Sequence, residues 1–273
     1  MTRVVQLTVV MVFAAAAAIE AQAREAVALL ERVGNSVQLF VDNFTNVVAE
    51  EEYRQQFRQA APRRRLKSDF LLVGYPGQEK LFLTFRDVLE VDGRRVGDQQ
   101  ERLTRLFLEP FQDAVRRAAE IQREGARHSL DRGGRLMDPL QVLGYLQAAY
   151  QQNFRFTVGG VEPSLGPGVR EIDLEQIVEP GTQQIALRGK AWVVESSGRV
   201  VKTELRAGRA PAVRFTTTTF ARDPVLGIDV PLELQDSVPL ARDDEFQGRA
   251  SYRNFRRFQV RVDEAIDVPP TPR

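Results

Sequence analysis

Lys190-Ala191-Trp192-Val193-Val194-Glu195, then Ser196-Ser197-Gly198, then Arg199-Val200-Val201-Lys202-Thr203-Glu204-Leu205: this stretch decides the fold class. Two runs rich in Val, Trp and Thr flank a short Ser-Ser-Gly turn, which is the pattern of a β-hairpin. Strands joined by so short a turn must run antiparallel. The rest of the C-terminal half repeats the theme. Ala212 to Ala221 carries four consecutive threonines and has high β-propensity. Ile228 to Leu234 and Gly248 to Val260 read as further strands. Upstream, Phe154 to Val158 precedes Gly159-Gly160, Gly166-Pro167-Gly168 forms a loop, and Glu171 to Val178 and Gln184 to Leu187 read as strands.

The N-terminal half alternates in period. Val27, Leu30, Val33, Val37, Phe40 and Val41 recur every three or four positions, so Arg24 to Val41 reads as a helix with one buried face. Val47 to Phe57 admits either a strand or a helix, because Glu, Gln and Arg favour the latter. After the break at Pro62 and Arg63-Arg64-Arg65, Leu66 to Tyr75 reads as a strand ending at Pro76-Gly77. Lys80 to Val91 follows, with Leu81, Leu83, Phe85 and Leu89 on one face and Thr84, Arg86 and Glu90 on the other. That is the alternation of a half-buried strand, closed by the turn Asp92-Gly93.

Residues 99–150 return to helical spacing through Leu103, Leu106, Phe107, Ala114, Val115, Ala118, Ile121 and Gly125, with either a kink at Pro110 or two helices, the second starting near it. Gly133-Gly134 ends this unit, and Asp138-Pro139 caps a short helix through Leu140, Leu143, Leu146 and Tyr150. The predicted fold is therefore α+β: a strongly curved antiparallel sheet, an incomplete β-barrel, packed around two or three helices. It is read as one domain over residues 24–262 with its helical segment at 99–150, followed by a disordered tail at 263–273.

The first 23 residues read as an export signal. Arg3 precedes an apolar run from Val4 to Ile19, and Ala21-Gln22-Ala23 fits the small-x-small cleavage pattern, with Ala21 and Ala23 as the small residues. The competing reading is a retained membrane anchor, for which the run is short. No cysteine follows it, which excludes a lipid-anchored lipoprotein. The expected localisation is exported, periplasmic or secreted, with no integral span once the signal is removed.

Composition narrows the function classes. The chain has 38 basic and 37 acidic side chains, no cysteine and one histidine. Near-neutral charge gives no support for nucleic-acid binding. The lack of Cys and His removes most transition-metal chemistry. No cofactor and no metal site is expected.

Candidate chemistry is sparse. His128, Ser129 and Asp131 lie together, but a triad needs histidine bonded to both partners, and residues this close at a helix end do not arrange that easily. Glu50-Glu51-Glu52 and Asp243-Asp244-Glu245 could offer oxygen ligands, yet lack the spacing and glycine of a calcium loop. Arg63-Arg64-Arg65-Lys67 and Arg253, Arg256 and Arg257 are basic patches that fit an arginine-decorated sheet surface. Sixteen phenylalanines and one tryptophan either fill the core or line a pocket. The candidate ligand-lining set is Leu83, Phe85, Phe154, Phe156 and Trp192.

The stretch Trp192 to Val201 resembles the tryptophan-led hairpin of bacterial exported proteins related to the outer-membrane lipoprotein carrier and sorting (Lol-type) fold. Gly227-Ile228-Asp229-Val230-Pro231 and Gly248 to Phe258 also fit that type. The N-terminal half, with Ser68-Asp69-Phe70-Leu71-Leu72-Val73 and Phe85-Arg86-Asp87-Val88, looks like exported bacterial proteins of unknown function. The resemblance implies an open barrel closed by helices over an apolar cavity, and binding of lipoprotein acyl chains. The chain departs from the family in its extra N-terminal strands and its long helical insert at 99–150.

Three functions stay open. The first is a non-enzymatic exported protein that binds a lipid, a lipoprotein acyl chain or another apolar ligand. The second is an envelope interaction or scaffold protein with a filled core. The third is a hydrolase whose carboxylates the sequence cannot pair.

Overall fold

A computed structural model describes residues 2–45, 47–59, 61–74, 82–96, 111–131, 136–179, 184–240 and 244–257, with side chains described for all of these except 2–19, 73–74, 82–83, 111–115 and 118. The described elements run in this order: α1 (Thr2–Phe44), β1 (Val47–Phe57), β2 (Arg63–Gly74), β3 (Phe82–Val91), β4 (Arg94–Arg95), α2 (Phe111–Ala126), α3 (Gln141–Leu146), α4 (Ala148–Gln151), β5 (Phe154–Val161), β6 (Val169–Gln176), β7 (Arg188–Val194), β8 (Val200–Ala207), β9 (Arg214–Arg222), β10 (Asp229–Pro239) and β11 (Glu245–Arg257).

All eleven strands form one antiparallel sheet in the order β4-β3-β2-β1-β11-β10-β9-β8-β7-β6-β5. It is two meanders joined where β1 pairs with β11. Among the described residues the end strands β4 and β5 do not pair with each other, so the described sheet is open. Phe70 and Arg86 from one half share a cavity with Leu205 and Val238 from the other. The sheet must therefore curl to bring those halves face to face.

The hairpin at residues 190–205 forms as β7 and β8, and Gly198 sits at φ 72 in its turn. Asp92 and Gly93 both take positive φ, as a two-residue hairpin loop requires. Val47 to Phe57 is a strand throughout. The segment Gln184 to Leu187 is not a strand: β7 starts only at Arg188. Residues 99–110, Gly133-Gly134 and the tail at 263–273 lie outside the described residues.

Helix α1 is continuous from Thr2, through the segment read as an export signal. Glu20 to Glu25, including Ala21 and Ala23, are exposed. Packing begins further on. Leu29, Val33, Val37, Val41 and Phe44 share one face, are all buried, and belong to the core. Each such burial contributes roughly 1.5–3 kcal/mol. Opposite them lie inward residues of the sheet, among them Ala49, Leu72, Ala191, Val193 and Phe220. Phe40 stacks on Phe44 at 5.3 Å and meets Phe220 edge-on at 6.1 Å. The turn of the β7–β8 hairpin reaches α1, where Arg32 Nε donates to the Glu195 carbonyl at 3.0 Å.

A second buried row, Val48, Leu71 and Phe85, runs across β1, β2 and β3 on the other face. This corrects the reading of β3 as half-buried. The alternation holds only as far as Val88, where an extra residue, Leu89, shifts the register and takes Glu90 off this face; Thr84, Arg86 and Val88 turn to the interior beside Phe70 and Ser68, and Arg86 is only 6% exposed. Its face looks polar in the sequence because its carboxylate partner, Glu51, lies 35 residues upstream.

Candidate functional site

The concave side holds a cavity of about 860 Å³, at the end of the sheet away from the β7–β8 turn. That volume lies within the range of small-molecule sites. One wall is Phe70 of β2 with Thr84 and Arg86 of β3. The facing wall is Leu205, Arg214 and Val238, from β8, β9 and β10. Helix α2 roofs it, close-packed on β3 because Gly125 leaves only enough room for Val88.

A charged layer lies beneath the Phe70 wall. Glu51 accepts from Arg86 Nε at 2.5 Å and from Nη2 at 2.6 Å, and Nη2 also reaches the Met137 carbonyl at 2.8 Å. The guanidinium sits 5.7 Å from the Phe70 ring and 5.9 Å from that of Tyr53. Burial would favour loss of its proton, but the Glu51 carboxylate outweighs that and holds Arg86 above its ordinary value. Such a pair is rigid, since separating its members leaves a buried charge bare.

A second charged group lies on the other side. Asp236 accepts from Arg214 Nη1 at 2.5 Å and from the Tyr53 hydroxyl at 3.1 Å. Arg214 Nη2 donates to Asp131 at 2.7 Å. Burial raises the Asp236 pKa, opposed by Arg214. Burial, followed by the Asp236 charge, keeps the proton on Tyr53. The Tyr252 hydroxyl is buried close to the Glu51 carboxylate. Burial and then the Glu51 charge raise its pKa. Asp138 accepts from Thr84 Oγ1 at 2.6 Å and from the Leu140 amide at 2.8 Å, and burial raises its pKa as well.

The sequence-derived lining residues scatter. Phe85 borders the cavity, but it belongs to the row with Val48 and Leu71 on the other face of the sheet and is 1% exposed. Leu83 pairs with Val73 across the β2–β3 ladder, and its side chain lies outside the described residues. Phe154 is buried against Tyr145 at 4.9 Å, with half-buried Phe156 at 6.3 Å, and neither lines the cavity. Trp192 lies on the opposite face from its core neighbours Ala191 and Val193, with the Lys202 ammonium 4.5 Å from its ring centre.

The other clusters resolve into structural contacts. Asp131 is held by Arg214, and Ser129 Oγ accepts from Gln55 at 3.1 Å. The backbone carbonyl of His128 accepts from Arg64. Strand alternation splits Glu50-Glu51-Glu52: Glu51 points in, while Glu52 pairs with Arg65 and Glu50 with Arg256. Asp244 accepts from the Gln59 amide, and Glu245 pairs with Arg58. Among the described residues, no group of acidic or histidine side chains is disposed to hold a metal ion, and no helix is long and apolar enough to cross a membrane.

No family model and no curated protein matches the chain. Solved structures with a similar chain path include a LolA superfamily protein from Nitrosomonas europaea, at 12% identity and TM-score 0.37, covering 84% of this chain and 94% of that one. A DUF1329 family protein from Desulfovibrio piger has 12% identity and TM-score 0.44, covering 88% and 94%. A candidate outer membrane lipoprotein-sorting protein domain from Vibrio parahaemolyticus has 13% identity and TM-score 0.46, covering 86% and 94%. Similarity at this level assigns neither ligand nor activity.

Proposed function

We propose that the protein is an exported, non-enzymatic binding protein whose cavity takes an apolar chain, such as the acyl chain of a lipid or lipoprotein. The cavity itself carries this reading. It is large enough for a ligand, and Phe70, Leu136, Met137, Leu187, Leu205 and Val238 give it apolar walls. The buried polar groups nearest it, Glu51 with Arg86 and Asp236 with Arg214 and Tyr53, are tied to one another, so they fix the shape of the walls. The carboxylates of Glu51, Asp131 and Asp236 are engaged by guanidiniums, which suits a scaffold for binding better than a free base.

Native mass spectrometry of the protein purified gently from its host, followed by lipid extraction, tests this. Co-purifying acyl species are the expected result. A clean apo mass, under conditions that keep cargo on a known lipid carrier, would sink the reading and leave a scaffold role in its place.

A further inference from the structure

The cations around the cavity are not equivalent. Arg86 is matched by Glu51, and Arg214 by Asp131 and Asp236. Arg123, on α2, also lines the cavity. Its Nε donates only to the Ala119 carbonyl of its own helix, at 3.2 Å, and no carboxylate pairs with it among the described residues. Glu120 and Glu124 are its neighbours on α2, but neither lines the cavity. The acidic side chain that does, Asp138, is held by Thr84 and the Leu140 amide.

The cavity thus has apolar walls, two internally matched arginines and one unmatched arginine on its roof. We infer that the ligand is an acyl amphiphile with an anionic headgroup, carboxylate or phosphate, which rests against Arg123 while the chain lies along Phe70, Leu205 and Val238. This rests on the cavity reading above and adds the headgroup class. Arg123 is exposed, so its attraction is screened by salt and modest in size. The guanidinium fork is suited to either oxyanion.

Calorimetric titration of the full protein with decanoate, decyl phosphate, 1-decanol and decyltrimethylammonium tests the headgroup at constant chain length. Both anions should bind about fivefold more tightly than the alcohol at low salt, the scale of one exposed ion pair, and the ammonium more weakly than the alcohol. Arg123→Gln should bring the anions to the alcohol's affinity and leave the alcohol unchanged. Arg155→Gln removes the same charge from an exposed position on β5 outside this cavity and should change nothing. Equal binding of all headgroups, or an unchanged anion preference in Arg123→Gln, overturns the inference but leaves an apolar-chain site. Displacement of decanoate by millimolar inorganic phosphate without any binding of 1-decanol would show a site for free anions and overturn it too. No binding of any decyl probe removes the cavity reading itself, and this inference with it.

Discussion

Glu51 and Arg86, on strands separated in the sheet by β2, form a two-pronged ion pair at 2.5 and 2.6 Å with both side chains essentially out of solvent. Removing one member leaves the other as a bare buried charge. Glu51→Ala or Arg86→Met should each destabilise the protein by about 3–5 kcal/mol. The double replacement Glu51→Leu with Arg86→Met should recover most of that loss. Urea melts of the three variants check this, and a double variant as weak as the sum of the singles would show that the pair is not a coupled unit.

Gly198 and Gly93 both have positive φ, at 72 and 83, but only one is crowded. A β-carbon at Gly93 meets nothing, whereas one at Gly198 runs into the backbone of Arg32 and Val33 in α1. Gly93→Asn should therefore cost about 1 kcal/mol or less, since asparagine tolerates this backbone. Gly198→Asn should cost roughly 2–4 kcal/mol through overpacking against the helix. Equal losses in melts of the two variants would mean that the hairpin does not seat on α1.

Asp138 gives a pH signature. Burial raises its folded pKa above the unfolded value of 3.8. As pH rises above that value, the unfolded chain ionises first and binds fewer protons than the folded one. Stability from this group is therefore fully present at low pH and is lost as pH climbs through the folded pKa. Asp138→Asn lacks that loss, so its stability relative to the native protein should improve between pH 4 and pH 7. Denaturant melts across that window should show the gap closing or reversing, and a constant gap would contradict the placement of Asp138.

Ala207 lines the facing wall where space is free. Ala207→Trp should obstruct the cavity and weaken decanoate binding by at least about tenfold, the equivalent of 1.4 kcal/mol, with the folded spectrum retained. Native Trp192 is the chain's one tryptophan and lies on the far face of the sheet. Its emission should stay constant when the ligand binds to the native protein. A shift on titration would place the ligand elsewhere.

The exposure of Ala21 and Ala23, ahead of the first packed residue of α1, leaves that part of the helix open to a peptidase. N-terminal sequencing of the protein recovered from the cell envelope or medium should begin at Arg24. A start at residue 1 or 2 would favour the retained anchor.

Local signals were enough for much of the sheet. The Trp192–Leu205 hairpin could be read because its strands and turn lie within one window. β1 stays open between strand and helix in the sequence, because Glu51 and Gln55 occupy buried inward positions and break the apolar alternation. Their partners, Arg86 and the segment at 129–130, are far along the chain. Arg86 looks like part of the polar face of a half-buried strand for the same reason. The cavity was less legible still. Leu205 and Phe70 meet across a sheet whose curvature no short stretch encodes, and aromatic residues such as Phe154 and Trp192 carry no mark of which face they occupy. Arg123 has the spacing of an ordinary solvent-exposed helix residue, so only the roof position of α2 distinguishes it.

The central seam of the sheet joins β1 to β11, from Val47 opposite Arg257 to Phe57 opposite Phe246. These strands come from nearly opposite ends of the described chain, and each is flanked on its other side by its own meander. Synthesis produces β1 long before β11 exists. Until β11 arrives, β1 and β10 both present bare edges, and closing so wide a loop makes the last step slow. The topology thus leaves the sheet as two unjoined meanders until β11 has emerged.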